Sequence, residues 1–168
     1  MANLSAINAL FDLSGKTALV TGASSGLGRQ AAIVLAQAGA NVVGIARRAD
    51  ALAETKKLVG DAFTGITADL ANRSEWDGLV DRVNPIYGAP DILVHAAGIN
   101  TRQDADSVTP EGWDVTLSLN LSAPFFISQA FVPFMKAKGW GRIVNFASLQ
   151  SYRAFTSGIS YGASKGGV

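Results

Sequence analysis

The sequence has 168 residues, with 14 lysines and arginines against 13 aspartates and glutamates, a formal net charge of +1 and 48% hydrophobic residues. This balance gives no electrostatic case for binding nucleic acid or an anionic membrane surface. The absence of cysteine excludes disulfides, thiolate nucleophiles and cysteine metal sites. The single histidine, His95, argues against a multi-histidine metal site, so we expect no metal.

The length predicts one domain over residues 1–168. Residues Met1–Leu13 carry no basic segment and no long apolar run, which is not the pattern of a secretory signal. No stretch approaches the roughly 20 apolar residues that a membrane span needs. We therefore expect a cytoplasmic protein without a membrane partner.

In the first half of the chain, short apolar runs alternate with helical patterns. The predicted strands are Thr17–Thr21, Asn41–Ala46, Ala62–Thr67 and Asp91–His95. The predicted helices are Leu27–Ala38, one with Asp50 as its N-cap that reaches about Val59, and one that opens at Asn72 or Ser74 and reaches about Val83. Strand–helix alternation of this kind favours a parallel sheet with right-handed crossovers.

In the second half, a helical stretch runs from Pro110 to about Lys138, and we expect bends or breaks at Pro124 and Pro133. A fifth strand is predicted at Arg142–Ala147, a loop at 148–160 and a helix from about Tyr161. The prediction is an α/β fold, a Rossmann-type doubly wound parallel sheet that is truncated after the fifth strand.

A glycine-rich loop lies between the first strand and the first helix, where a dinucleotide-binding loop must be. Gly22 allows a tight turn, Gly26 lets the backbone approach a pyrophosphate, and Gly28 permits close packing of the helix on the sheet. The helix N-terminus offers free amides and a positive dipole end to phosphate. The cofactor-binding residues predicted in this loop are Gly22, Ser24, Ser25, Gly26, Leu27 and Gly28.

The end of the second strand indicates which dinucleotide is bound. It reads Ile45-Ala46-Arg47-Arg48, and the next acidic residue is Asp50. An NAD site places a carboxylate there for the ribose 2′-hydroxyl, whereas an arginine accommodates a 2′-phosphate. Arg47 therefore favours NADP(H), with NAD(H) still possible. The alternative is that both arginines are solvated loop residues.

Two more strand ends point to the same cleft. Asp69 and Leu70 follow the third strand, and Asp69 either accepts a hydrogen bond from an adenine amino group or caps the following turn. Small residues after the fourth strand, Ala97 and Gly98, let a nicotinamide lie close to the backbone. We interpret His95 as a hydrogen-bonded strand-end residue rather than a general base.

The residues with proton chemistry lie near the C-terminus. Tyr161 and Lys165 are one helical turn apart on the same face, and an ammonium so placed favours the ionised form of a phenol. Ser148 follows the fifth strand, where its hydroxyl can hold a substrate carbonyl oxygen. Asn120 could hold a water that connects Lys165 to solvent. A hydrolase with Ser148 as nucleophile is a weaker reading, because no carboxylate–histidine pair is evident.

The order and spacing of these motifs resembles the short-chain dehydrogenase/reductase family, in its Thr-Gly-x-x-x-Gly-x-Gly and Tyr-x-x-x-Lys subtype. The resemblance implies a Rossmann fold, NAD(P)(H), alcohol–ketone interconversion, and a tetrad in which Tyr161 is the acid/base, Ser148 the carbonyl binder, Lys165 its pKa-lowering and ribose-contacting partner and Asn120 the water holder. Residues Ala147–Ser151 resemble those of gluconate 5-dehydrogenase-like members, and 3-oxoacyl-carrier-protein reductases are almost as similar. The resemblance therefore implies a sugar acid or a 3-oxoacyl compound as substrate and leaves the choice between them open.

Two departures from the family pattern bear on these expectations. The usual Asn-Asn-Ala-Gly reads His95-Ala96-Ala97-Gly98, and the family's later segments do not follow Val168. We expect Lys165 to lie in a fraying terminus, an apolar strand face to be exposed, and the longer enzyme to be a homodimer or homotetramer. The alternative function is a non-catalytic dinucleotide-binding or regulatory domain.

Overall fold

The computed structural model describes residues 9–168, so most of the segment Met1–Leu13 lies outside the described residues. Its centre is a five-stranded parallel sheet in the order β3-β2-β1-β4-β5. The strands are β1 (Thr17–Thr21), β2 (Asn41–Ala46), β3 (Phe63–Thr67), β4 (Ile92–His95) and β5 (Arg142–Asn145). The predicted fold class, a doubly wound parallel sheet, is confirmed.

The strand register aligns the carboxyl ends of the strands. Thr21 at the end of β1 pairs with Ile45 of β2 and with His95 of β4, which pairs with Asn145 of β5. The chain order reverses between β1 and β4, and ligands of open α/β sheets bind at such a reversal, beyond the carboxyl ends of the strands. This edge is therefore where a site is expected.

In the part of the chain that the structure describes, α-helices and shorter turns connect the strands and follow β5. The helices are α1 (Gly26–Gln37), α2 (Ala49–Val59), α3 (Leu79–Tyr87), α4 (Pro110–Leu117), α5 (Ala123–Lys138) and α6 (Ile159–Gly167). The short elements are 3₁₀ turns at Arg73–Glu75 and Leu149–Ser151 and a π-helical turn at Ser118–Ser122.

Two predicted helix starts are wrong. Arg48 occupies the N-cap position of α2, and Asp50 lies in its first turn, where a carboxylate faces the positive end of the helix dipole. Asn72 caps only a 3₁₀ turn, accepting from the Ser74 amide at 3.2 Å. The chain becomes α-helical at Leu79, after Gly78 with a φ of 72°.

The two prolines expected to bend or break the run have different surroundings. Pro124 lies in the first turn of α5, directly after the π turn Ser118–Ser122, so the irregularity lies next to the residue that lacks an amide donor. Pro133 lies inside α5, which continues through it with the flanking Phe131 and Met135 buried in the core, so no break occurs there. The π turn joins α4 to α5 and carries the buried Asn120.

The continuous run Pro110–Lys138 is, by length and composition, apolar enough to cross a membrane, contrary to the expectation from the sequence. The core helix of a water-soluble domain passes the same test. Here the run packs Ile127, Phe131 and Met135 into the core below the sheet.

The core has two parts, because alternate strand residues point to opposite faces of the sheet. Leu19, Val43 and Leu93 belong to the cluster that includes α3 and α5, whereas Val20 and Val42 belong to the cluster that includes α1 and α2. The edge strand β5 is different, since all four of its residues are exposed. Within the described residues, β5 therefore exposes apolar side chains on both faces of the sheet, Ile143 on one and Val144 on the other, in line with the expected exposure of apolar strand surface.

Candidate functional site

A cleft of about 340 Å³ opens at the carboxyl ends of β1, β2, β3 and β4. It is lined by most of the residues predicted to bind a cofactor: Gly22, Ser24, Ser25, Leu27, Gly28, Arg47, Asp69, Leu70, Ala97 and Gly98. Ile45, Ala46, Arg48, Ala68, Ala96, Ile99 and Leu119 complete the lining. The strand register therefore gathers into one cleft five chain segments that are far apart in the sequence.

The glycine-rich loop has no room for larger residues at two positions. A Cβ on Gly28 would lie 2.3 Å from the Gly22 carbonyl oxygen, and a Cβ on Gly22 would lie 2.8 Å from the Ala97 nitrogen. Gly26 does not belong to the cleft lining but has a φ of 54° with open space around its Cβ position. The loop thus packs tightly on the sheet side and stays open on the other.

Hydrogen bonds hold the start of this loop on the sheet. The Gly22 amide donates to the Ile45 carbonyl at 2.8 Å, and the Thr21 hydroxyl accepts from the Ala97 amide at 3.1 Å. Thr21 ties the glycine loop to the segment after β4, a role that the sequence analysis did not assign. Its position as the last residue of the apolar strand was the available signal.

The two arginines after β2 are placed differently. Arg48 reaches over the glycine loop, with Nη2 3.1 Å from the Ser25 hydroxyl and 3.4 Å from that of Ser24. Arg47 faces Asp69, at 4.0 Å between Nη1 and Oδ2. Asp69 also accepts from the Ala71 amide at 3.1 Å, so it caps its turn and lines the cleft at once. The sequence analysis selected Arg47 and did not single out Arg48.

His95 is buried at the end of β4. Its Nε2 lies 2.9 Å from the Ser128 hydroxyl, and Nδ1 has no hydrogen-bond partner among the described residues. Burial lowers the pKa of His95 to about 4, so the ring is neutral near pH 7. The residue is hydrogen-bonded within the fold and is not part of the cleft lining.

Asn120 connects the cleft to the C-terminal helix. In the π turn it is only 1% exposed, and its side chain accepts from the Ile99 amide at 2.9 Å and donates to the Ile99 carbonyl at 2.8 Å. Its Nδ2 also lies 3.1 Å from the Ser164 hydroxyl, which donates to the Tyr161 carbonyl. Ile99 and Ser164, which the sequence analysis missed, thus join a cleft wall to the Tyr161–Lys165 turn.

Ser148 caps the 3₁₀ turn that follows β5. Its hydroxyl accepts from the Gln150 amide at 3.2 Å, and its own amide donates to the Ser151 hydroxyl at 3.3 Å. The Ser151 hydroxyl donates in turn to the Lys165 carbonyl at 2.6 Å. Ser151 therefore links the backbone of Ser148 to the last turn of α6.

The Tyr161–Lys165 pair lies on α6. Tyr161 is half-buried, and the Lys165 Nζ lies 5.8 Å from the centroid of its ring. That ammonium donates to the Phe146 carbonyl, and burial lowers the pKa of Lys165. Lys165 is only 7% exposed, so the expectation of a loosely held lysine is wrong. Its side chain lies against the turn after β5 instead of solvent.

The geometry fits a dinucleotide phosphate group. The loop brings the N-terminus of α1 and the guanidinium of Arg48 to one side of a cleft whose floor is glycine and alanine. Amides at a helix N-terminus and a guanidinium are the groups that bind phosphate. Ser148 and the predicted cofactor contacts Tyr161 and Lys165 do not line this cleft; Asn120 joins its wall at Ile99 to Ser164 on α6.

Comparison with known proteins gives the same assignment. The family model described as short chain dehydrogenase matches residues 16–168. The chain belongs to this family. The resemblance identified from its motifs is thereby confirmed.

Two bacterial dehydrogenases are among the relatives of this chain. The chain is 40% identical over 161 residues to 2-dehydro-3-deoxy-D-gluconate 5-dehydrogenase of Escherichia coli K12, covering 94% of this chain and 63% of that protein. It is 39% identical over 164 residues to gluconate 5-dehydrogenase of Gluconobacter oxydans, covering 95% and 63%. The chain thus spans about 63% of the length of these relatives.

A solved structure of a metagenomic short-chain oxidoreductase in complex with NADP is similar to this domain. The TM-score is 0.87 at 33% identity, over 92% of this chain and 72% of the other.

Proposed function

We propose that this domain binds NADP(H) and belongs to an oxidoreductase that interconverts a secondary alcohol and a ketone. The observation that carries the proposal is the Asn120 side chain. It bonds both to Ile99 in the cleft wall and to Ser164, which lies between Tyr161 and Lys165. One buried amide thereby fixes the candidate acid/base turn relative to the candidate cofactor cleft.

The preference for NADP(H) rests on the end of β2. Arg48 presents its guanidinium to the loop serines, and no carboxylate follows β2 to accept from a ribose 2′-hydroxyl. A 2′-phosphate there would receive charge-assisted hydrogen bonds from Arg48, with Arg47 beside it. The solved relative in complex with NADP supports this choice.

The chemistry divides among four side chains. A bound nicotinamide dinucleotide supplies or accepts the hydride. Tyr161 donates a proton to the carbonyl oxygen in reduction and removes it from the alcohol in oxidation. Ser148 would hold the same oxygen, and Lys165, one helical turn from Tyr161, would contact the ribose of a bound dinucleotide. Asn120 positions the turn and holds a water that links Lys165 to solvent.

The substrate class follows from the relatives. The two named enzymes act on gluconate or a 2-dehydro-3-deoxygluconate, by their names, so a sugar acid is the first substrate to test and a 3-oxoacyl compound the second. The proposal also places the protein in the cytoplasm as a homodimer or homotetramer. Exposed Phe125 and Phe126 on α5 are consistent with such assembly, which sedimentation velocity measures directly.

Replacing Tyr161 by Phe tests the catalytic part. Loss of the positioned acid/base should lower turnover by about 10²–10⁴, with NADPH affinity nearly unchanged. Tyr152→Phe is the matched control, because Tyr152 is 94% exposed and lies outside the site. Equal turnover in the two variants would favour a non-catalytic dinucleotide-binding domain.

Replacing Arg48 by Ser tests the cofactor preference. Serine keeps a favourable N-cap for α2, so the helix is retained. Loss of charge-assisted hydrogen bonds should weaken NADPH binding by about 10- to 100-fold and leave the affinity for NADH unchanged. Arg47→Ser should have the smaller effect on NADPH. A larger effect at Arg47 would move the phosphate contact to that residue.

A further inference from the structure

We propose that Thr55 and Arg29, neither of which lines the cleft, are positioning residues that hold the glycine-rich loop in the shape that accepts the cofactor phosphates. This inference rests on the proposed function, because it concerns the same cleft. It concerns two side chains whose contacts all lie behind the loop, between α1 and α2.

Thr55 is a fully buried hydroxyl on α2. Its Oγ1 lies 3.0 Å from the Ala23 carbonyl and 3.1 Å from the Ala51 carbonyl, and it accepts from the Arg29 Nε at 3.0 Å. A hydroxyl has one proton, so the two carbonyls share it while the oxygen accepts from Arg29. Thr55 thereby binds the loop at Ala23 and orients the guanidinium.

Arg29 binds the next carbonyl of the loop. Its Nη2 donates to the Ser24 carbonyl at 2.6 Å, to the Ala51 carbonyl at 3.2 Å and to the Glu54 carboxylate at 3.0 Å. The Glu54 side chain is 64% exposed, so this ion pair orients Arg29 more than it stabilises the fold. Two successive loop carbonyls are thus fixed by donors from the helices behind them.

These contacts determine the polarity of the loop toward the cleft. A carbonyl oxygen repels a phosphate, whereas an amide attracts it. The Ala23 carbonyl accepts from Thr55 of α2 and the Ser24 carbonyl from Arg29 of α1, and neither donor lines the cleft. The loop serines and the N-terminus of α1 are consequently the groups that the cleft presents to an anion. Loss of the Thr55 hydroxyl would leave the Ala23 carbonyl and the Arg29 Nε without this partner and free the loop to turn.

The test compares Thr55→Val with Thr17→Val in the cofactor-free protein and in NADPH titrations. Thr17 is the matched control, since its buried hydroxyl donates to the Tyr87 carbonyl at the opposite end of β1. Thr55→Val should speed amide hydrogen exchange over residues 22–28 and weaken NADPH binding about three- to tenfold. Thr55→Ser, which keeps the hydroxyl, should restore both values. Thr17→Val should change neither the loop exchange nor the NADPH affinity, although it should lower thermal stability about as much as Thr55→Val does.

Each outcome decides one claim. If Thr55→Val matches Thr17→Val in loop exchange and in NADPH affinity, the positioning role is overturned. If wild-type protein does not bind NADPH, the proposed function fails, and loop exchange alone decides whether Thr55 holds the loop. Faster exchange confined to residues 22–28 supports the inference, and unchanged or uniformly faster exchange overturns it.

Discussion

Replacing Gly28 by alanine probes the contact between the glycine loop and α1. The added Cβ would lie 2.3 Å from the Gly22 carbonyl oxygen and 2.6 Å from its carbon, both main-chain atoms. Ordinary contact between heavy atoms is about 3.5–4.0 Å, so the loop has to move by about 1 Å. Overpacking costs about 1–3 kcal/mol, and the higher helix propensity of alanine returns about 1 kcal/mol. We expect a net destabilisation of up to about 2 kcal/mol.

The displaced loop should also weaken NADPH binding at least about tenfold, since a displacement of about 1 Å is costly at a preorganised binding site. The assays are urea denaturation and a fluorescence titration with NADPH. Gly166→Ala is the control, because its Cβ meets no heavy atom within 4 Å, and it should be neutral or stabilising. Wild-type stability and NADPH affinity in Gly28→Ala would refute the steric argument.

Two further predictions concern buried ionisable groups. The pKa of His95 is lowered to about 4 by burial, below its value of about 6.5 in an unfolded chain, so its stabilising contribution is complete above pH 6.5 and is lost as the pH falls toward 4. The free energy of unfolding should fall by about 3 kcal/mol from this group between pH 7 and 4, as measured by urea denaturation. If the free energy of unfolding of His95→Gln depends on pH as steeply as that of the wild type, the prediction is wrong. Asp91 is 5% exposed; burial opposes its ionisation, but hydrogen bonds from Lys138 and the Thr17 amide and the charges of Lys138 and Lys16 together lower its pKa. Lys138→Met removes the 2.8 Å contact to that carboxylate and should destabilise the fold by about 1–2 kcal/mol at pH 7. The effect is smaller than for a fully buried ion pair, because the Lys138 side chain is 42% exposed. Because the pKa of Asp91 is lowered, this contribution is present above about pH 4 and disappears below it, so an equal effect of Lys138→Met at pH 3 would count against this assignment.

The sheet was predictable because its strands are short apolar runs in strict alternation with helical patterns. Parallel strands buried on both faces need such runs, and Thr17–Thr21 and Asn41–Ala46 were predicted with the bounds that the structure has. Helix starts were harder, since they depend on backbone geometry. Asp50 is a good N-cap residue by type, yet the helix begins two residues earlier than that prediction requires, with Arg48 at the N-cap position.

The candidate site was predictable as a set of motifs but not as a network. Nothing local in the sequence distinguishes Arg48 from Arg47, because the choice depends on which side chain points along the edge of the sheet. The π turn that buries Asn120, and its contacts to Ile99 and Ser164, depend on packing between segments far apart in the chain. Lys165 is held by the Phe146 carbonyl, a contact that its position near the C-terminus did not indicate.

The most direct test is a titration of the purified chain with NADPH and with NADH. Binding is monitored by the quenching of the fluorescence of Trp76, Trp113 and Trp140 and by the emission of the dinucleotide itself. We expect saturable binding of both dinucleotides and tighter binding of NADPH, with the difference removed in Arg48→Ser and binding impaired in Gly28→Ala. No saturable binding of either dinucleotide would contradict the assignment of the cleft, and tighter binding of NADH would contradict the role of the arginines.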